Sequence, residues 1–318
     1  MDKNFVSGNS KVQIVNLNSE KLFEKSFEKN RIYFFYKEII INKYLSSIAN
    51  DIVAKPIYIN RSKKRIYYPL MESANNKFKY NNAYLELIKR IHIHNKKFKK
   101  SCLLYADQPL INSHSISEHI NFRVQKLLEV STIYEGKFKK HILEIKKCYK
   151  NAIKPITNHN LSTEMKFSHA DSGLHNCILD CNDKLYMADL EHSGIDSPIK
   201  QLIDYLVHPR NQADMECKDK WCNYFFELIV EKDLKVLKFY SSLIILKWAL
   251  ITLNEYLPQV WKIRLNSKPE RKLFHQEILE HQLQKSIIYL NASIKQLHKN
   301  DLRNIFKQSE KIILSKPY

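Results

Sequence analysis

Phe167–Pro209 reads FSHADSGLHNCILDCNDKLYMADLEHSGIDSPIKQLIDYLVHP, and it holds the densest polar chemistry in the chain. Asp171 and Asn176 stand five apart, with Gly173 between them. Two short apolar runs follow, Cys177–Leu179 and Leu185–Ala188, separated by the turn residues Asp180–Asp183. Apolar runs on either side of a polar turn read as a hairpin. Asp189 ends the second run. A hairpin folds the start of its first strand beside the end of its second, so Asn176 and Asp189 are expected to be neighbours.

Phosphoryl transfer needs such a set. One carboxylate accepts or orients the proton of the acceptor hydroxyl, and further oxygen ligands hold Mg²⁺ against the ATP phosphates. Asp171 suits the first task, and Asn176 and Asp189 suit the second. The spacing D-x-x-x-x-N, then Asp after a hairpin, is the catalytic-loop and metal-loop layout of protein kinases. The stretch resembles the aminoglycoside phosphotransferase and choline kinase superfamily. Its H-x-D-x-x-x-x-N loop and D-[FW]-E motif match His169-Ala170-Asp171…Asn176 and Asp189-Leu190-Glu191. The likeness is closer to an uncharacterised bacterial phosphotransferase branch with the pattern S-D-x-G-x-H-N, D-F-E-x-x-G-x-D-[DS]-P and D-F-x-x-H-P. Asp171, Gly173, His175, Asn176, Asp189, Glu191, Gly194, Asp196, Pro198, Asp204, His208 and Pro209 carry it. It is strong over about forty residues and faint elsewhere. It implies Asp171 as catalytic residue, Asn176 and Asp189 as metal ligands, and ATP with Mg²⁺ as cofactors. His169, Gly173, His175, Glu191 and Asp204 then support the loops. The two histidines brace backbone and do not bind zinc, because this metal site prefers oxygen donors.

Working toward the N-terminus, residues 4–72 read as strands around one helix. Phe5–Val6, Lys11–Leu17 and Leu22–Phe27 are short β-like runs separated by turn residues. Tyr36–Ile48 has helical spacing, and Ile57–Asn60 and Arg65–Met71 are further strands. Lys25 shares a strand face with Phe23 and Phe27, and competes with Lys21 and Lys29 as the nucleotide-binding lysine. Its placement is similar to the family's strand lysine. Glu38 opens the helix in Phe35-Tyr36-Lys37-Glu38, resembling the family's F-x-[RK]-E, so a Lys25–Glu38 ion pair is expected. Gly8 marks a strand turn over the phosphates. The hinge, with Met71, Glu72 and Ser73, is the expected adenine contact.

After Glu72 the texture becomes helical: Asn82–Lys97, His114–Leu128, Phe138–Ala152, then Pro198 to Ser315 with breaks near Pro209, Pro258 and Pro269. The fold class is therefore α+β. A two-lobed protein-kinase-like fold is expected, with a small β-rich N-lobe over residues 1–72 and a large, mainly helical C-lobe over 73–318. Acceptor specificity belongs to the helical lobe, where Lys247, Trp248, Asn254 and Glu255 set polar and aromatic groups into an apolar stretch. Trp221, Trp248 and Trp261 are candidates for a cage around a cationic amino alcohol.

The chain of 318 residues is 44% apolar and has a net charge of +19. That apolar share argues against disorder. The lysines are spread along the chain and no nucleic-acid motif accompanies them, which argues against a nucleic-acid partner. The apolar stretch Tyr240–Leu253 is too short to span a bilayer and contains Lys247, and no signal peptide opens the chain, so a cytoplasmic, membrane-free protein is expected. Six cysteines without CxxC spacing read as scattered thiols. The expected activity is ATP-dependent phosphorylation of a small-molecule hydroxyl, with a sugar or sugar derivative as the leading acceptor. The alternatives are an inactive kinase-like binding protein, an amino-alcohol kinase of the choline type and an aminoglycoside kinase. The positive charge disfavours a cationic aminoglycoside. Protein kinase activity ranks lower, since D-L-E replaces D-F-G. Oligomeric state is not legible.

Overall fold

The computed structural model describes residues 11–17, 19–74, 78–94, 104–134, 136–211, 213–267 and 269–299. Gly8 and the Phe5–Val6 run lie outside the described residues, as do Cys102 and the chain beyond 299. The chain divides into two compact units, residues 1–107 with 166–195, and residues 108–165 with 196–318.

In the first unit, β1 (Lys11–Leu17), β2 (Glu20–Ser26), β3 (Tyr58–Asn60) and β4 (Arg65–Pro69) form an antiparallel sheet in the order β1-β2-β4-β3. The register sets Gln13 opposite Glu24, and their side chains bond at 2.9 Å. Arg65 reaches the same carboxylate at 3.1 Å. Cross-strand pairs of this kind fix a register that a one-residue slip would invert. Lys25 faces Ile66 across β2 and β4, and Phe23 faces Tyr68, so Phe23, Lys25 and Tyr68 share a face.

Helix α1 (Ile32–Ile48) begins four residues before the expected start at Tyr36. The run Ile32–Phe35 is β-branched and aromatic, which reads as strand-like. It turns helical because Phe35 then enters the core, meeting Phe27 edge-on at 5.6 Å and packing with Ile66. Glu38 accordingly sits in the second turn and not at the opening. The remaining elements of this unit are β5 (Glu72–Ser73), α2 (Asn81–Ile93), β6 (Lys166–Ser168), β7 (Cys177–Leu179), β8 (Leu185–Met187) and β9 (Gly194–Asp196). β5, β7 and β8 make a small sheet, and β6 pairs with β9. The buried His92 of α2 holds the Phe167 carbonyl at 2.8 Å and so ties that helix to β6.

The second unit contains the helices α3 (Ser113–Val130), α4 (Lys137–Ile153), α5 (Pro198–Val207), α6 (Met215–Leu228), α7 (Glu231–Leu234), α8 (Leu237–Thr252), α9 (Pro258–Ser267) and α10 (His275–Lys299). α8 is buried around most of its circumference, which marks a central helix. It packs against α3, α4, α5 and α10. Pro258 opens α9 and Pro269 opens a 3₁₀ turn, so two of the three expected breaks are helix starts, where proline's missing N–H costs nothing. Among the described residues no helix is long and apolar enough to cross a membrane.

Candidate active site

The β7–β8 hairpin does what its sequence implies. Cys177 pairs with Met187, and the Ala188 N–H donates to the Asn176 carbonyl at 2.9 Å. The turn is clamped by Asp180, whose carboxylate accepts from the N–H groups of Asn182 and Lys184. Asn176 and the chain entering Asp189 are therefore adjacent. Asp189 itself is left-handed, with φ 55° and ψ 57°. Ala170, just before Asp171, is also left-handed at φ 65°. Such conformations cost on the order of 1–3 kcal/mol each in non-glycine residues and persist where surrounding structure over-determines them.

That surrounding structure is visible. His169 is fully buried, with Nε2 2.7 Å from the Ala188 carbonyl and Nδ1 3.0 Å from the Tyr84 hydroxyl. A carbonyl only accepts, so Nε2 carries the proton and Nδ1 accepts from Tyr84. Burial lowers the His169 pKa to about 4, which keeps the ring neutral in this tautomer. The Asn176 amide nitrogen donates to the Asp171 carbonyl at 2.8 Å. His175 Nε2 stands 3.3 Å from the Asp171 carboxylate, whose side chain is 42% exposed. The loop thus presents Asp171 outward on a buried support.

Lys25 is the centre of charge. Its ammonium pairs with Glu38 at 2.5 Å, with Glu191 at 3.3 Å and with Asp189. Burial alone would lower its pKa, but Asp189, Glu38 and Glu191 outweigh that and raise it, so Lys25 stays protonated. Neither Lys21 nor Lys29 takes this place. The Tyr68 hydroxyl donates to the other Glu38 oxygen at 2.7 Å. Glu191 also receives Arg31 at 2.8 Å and His192 at 3.2 Å. Burial would raise the Glu191 pKa, and Lys25, His192 and Arg31 pull it down, so it remains ionised. His192 bridges Glu191 and Asp107, the latter at 2.9 Å. Burial opposes its charge, but these bonds raise its pKa to about 9.

Lys25, Glu38, Met71, Glu72, Ser73, His175, Asn176, Asp189 and Glu191 line one cavity of about 370 Å³ in the first unit. That size falls within the range of small-molecule sites, roughly 300–1,000 Å³. The remaining walls are mostly apolar, with Val12, Phe23, Ala54, Ile178 and Met187 among them, beside Asn42 and Tyr68. Glu72 and Ser73 pair with Leu179 and Ile178, which anchors the hinge strand to the hairpin. The donor set fits a hard cation. The Asn176 amide nitrogen is spent on Asp171, and Asp189 contributes a carboxylate with a 33% exposed side chain beside it.

Sequence reasoning missed Tyr68, Tyr84, Arg31, His192 and Asp107. Tyr68 was findable once register was known, because it lies two residues past the partner of Lys25. Arg31 meets Glu191 from 160 residues away and carries no local signal, while His192 is the chain neighbour of Glu191 and finds Asp107 from 85 residues away.

The residues expected on the acceptor side fall in the second unit. Lys247 is buried and donates to Asp204 at 2.9 Å, and Trp248 Nε1 donates to the same oxygen at 2.8 Å. Lys200 joins at 3.2 Å. Asp204 therefore organises α5 and α8, and burial lowers the Lys247 pKa to about 8. Asn254 and the buried Glu255 lie in the 3₁₀ turn after α8. Trp221 is fully buried, stacked on Tyr205 at 3.7 Å and on Phe225 at 5.3 Å, so it has no face for a cationic ligand.

No protein-family model matches the chain, and no curated protein matches it in sequence. Solved structures do match. Choline kinase LicA from Streptococcus pneumoniae superposes with a TM-score of 0.56 at 12% identity, covering 92% of this chain and 94% of that one. The gentamicin–APH(2")-IIa complex gives 0.55 at 14% identity, covering 96% and 93%. Choline kinase from Cryptosporidium parvum Iowa II gives 0.52 at 16% identity, covering 88% and 91%. At these identities the likeness shows the fold, and the chain has the fold of these small-molecule kinases.

Proposed function

We propose that this chain is an ATP-dependent phosphotransferase that moves the γ-phosphoryl group onto a hydroxyl of a small molecule, with a sugar or sugar derivative as the leading acceptor class. One observation carries the reading: a buried Lys25 held by Glu38 on one side and by Asp189 on the other, at the wall of a cavity that also contains Asn176. A lysine in that position serves the α and β phosphates. The apolar walls would take the adenine ring against the backbone of Met71, Glu72 and Ser73. The division into a nucleotide lobe over 1–72 and a catalytic and acceptor lobe over 73–318 belongs to the same proposal, whereas Asp204, expected to support the catalytic loop, is engaged by Lys200, Lys247 and Trp248.

Asn176 and Asp189 would hold Mg²⁺, which when bound neutralises phosphate charge. The remaining work is done by side chains. Asp171, oriented by His175, accepts the acceptor's hydroxyl proton. The hydroxyl oxygen bonds to the γ-phosphorus as the bond from that phosphorus to the β–γ bridging oxygen breaks, and ADP leaves with the electron pair. His169 and Gly173 keep the loop in shape, and Glu191 holds Lys25 and Arg31. The test is ATP consumption by purified protein against panels of sugars, amino alcohols and aminoglycosides, with Asp171→Ala as control. Acceptor-dependent ADP formation that Asp171→Ala abolishes is expected. ADP formation insensitive to Asp171→Ala, or none with any acceptor class, would overturn the reading.

A further inference from the structure

Three carboxylates surround Lys25 in the first unit, and they do not hold it equally. Glu38 is buried, and its second oxygen accepts from the Tyr68 hydroxyl at 2.7 Å. Glu191 is buried too, and its second oxygen receives Arg31 at 2.8 Å and His192 at 3.2 Å. Each of these two carboxylates is fixed from behind by groups that stay in place if Lys25 moves. Asp189 differs. Its side chain is 33% exposed, against 1% for Glu38 and 3% for Glu191. Among the described residues, Lys25 is the only hydrogen-bond or ion-pair partner of the Asp189 carboxylate.

An ammonium offers three N–H donors and no acceptor. Lys25 donates to Glu38 and to Asp189, and the nitrogen faces Glu191 at 3.3 Å. A nucleotide phosphate therefore meets a lysine already turned toward carboxylates, and it meets the Asp189 charge at the cavity wall. Two anions at ion-pair distance from one cation repel each other. One contact has to open before Lys25 serves a phosphate. Opening Glu38 or Glu191 takes the lysine away from a buried carboxylate, which is costly. Opening Asp189 leaves a carboxylate that solvent already reaches, and whose oxygens suit a hard cation.

We propose that Asp189 is exchanged between two partners: Lys25 holds it in the absence of metal, and its transfer to the metal releases Lys25 to the phosphates. Metal and nucleotide then bind cooperatively through the lysine, while Tyr68, Arg31 and His192 keep the other two carboxylates in place. This rests on the phosphotransferase reading, which takes Asp189 as a metal ligand and Lys25 as a phosphate ligand. It adds a cause for metal dependence: without metal, Asp189 competes with the nucleotide for the lysine. Removing the Asp189 charge therefore strengthens nucleotide binding when metal is absent, the reverse of its effect when metal is present.

Calorimetric titration of the full chain with ADP, first in EDTA and then with Mg²⁺, tests the exchange. Asp189→Asn is the main variant, because asparagine tolerates the left-handed backbone found there at φ 55°. Asp189→Ala is measured beside it because it removes the acceptor oxygen as well as the charge. In EDTA, these variants should bind ADP more tightly than wild type by about fivefold or more, the lower end of typical coupling between sites. Adding Mg²⁺ should raise the affinity of wild type and leave that of the variants unchanged. Lys25→Met controls for plain repulsion between Asp189 and the phosphates: in that background Asp189→Asn should lose most of its gain, because the lysine is the group it frees. No gain in EDTA from either variant, or the same gain with and without Lys25, would overturn the exchange and leave the phosphotransferase reading standing. Failure of wild type to bind ADP in both EDTA and Mg²⁺ would overturn that reading, and the exchange with it.

Discussion

Asp171 and Asp189 are chemically identical side chains eighteen positions apart, and their surroundings differ. Asp171 is 42% exposed and held by His175, while Asp189 is paired with a lysine that three carboxylates keep charged. Asp171→Ala should therefore leave folding and ATP affinity nearly intact and lower turnover by about 10²–10⁴, the usual value of general-base assistance. A loose transition state would put the loss at the low end, because positioning and charge then supply more of the rate. Steady-state kinetics on the authentic acceptor, beside nucleotide binding by calorimetry, reads both quantities, and near-wild-type turnover would remove Asp171 from catalysis. At this scale the sequence was most legible: an acid five residues before an amide is a local pattern. The partners that tune it were not. Tyr68 and Arg31 reach Glu38 and Glu191 through space, and nothing adjacent in the chain announces them.

At the scale of elements, the turn after Asp189 is fastened to α1 and to the segment before Gln108. His192 is the rivet, joining Glu191 to Asp107. Its pKa of about 9 lies above the ordinary value near 6.5. A group whose folded pKa is raised stabilises the fold fully below its unfolded pKa, and that contribution is lost as pH rises through the folded value. Stability should thus fall between about pH 6.5 and 9, by up to about 3 kcal/mol. Urea titrations of wild type and His192→Gln across this range measure it; the variant should lack most of the slope, and an equal slope in both would refute the rivet. Gly194 offers a second test. Its φ is +158°, and a Cβ there would lie 2.5 Å from the Ala106 nitrogen and the Leu104 oxygen, because β9 lies flush on that segment. Backbone cannot yield as a flexible side chain can, so Gly194→Ala should cost about 1–3 kcal/mol or more, read as a lower urea midpoint. A wild-type midpoint in that variant would show that the segment moves freely.

At the scale of the whole molecule, nucleotide binding should appear as stability. A ligand that binds only the folded state at a hundred times its Kd adds about 2.7 kcal/mol. Mg²⁺ with ATP is expected to raise Tm, and Asp189→Asn should lose the Mg²⁺-dependent part of that rise while keeping the fold. An unchanged Mg²⁺ dependence would take Asp189 out of the metal site. The two compact units also divide the chain differently from its texture. Residues 166–195 follow two long helices in sequence, yet they group with residues 1–107, because β5 of the hinge pairs with β7 of the hairpin and α1 packs on the turn after Asp189.

What the chain determined alone was whatever rests on short range. The hairpin of Cys177–Met187 follows from alternating apolar residues around a polar turn, β1 from seven residues of strand pattern, and the helices from their 3.6-residue period. The pairing of Lys25 with Glu38 was also within reach, because strand alternation and helix position constrain both ends. Tertiary structure decided the rest. It made Ile32–Phe35 helical against local preference, since burying Phe35 against Phe27 and Ile66 outweighs a propensity difference of a few tenths of a kcal/mol per residue. It spent Lys247 and Trp248 on Asp204 and sealed Trp221 between two rings, where the sequence showed only polar and aromatic groups in an apolar run. It also drew Arg264 and Arg271 onto Glu255. Charges separated along the chain interact only when packing removes the water between them, and no periodicity in the sequence records where that will happen.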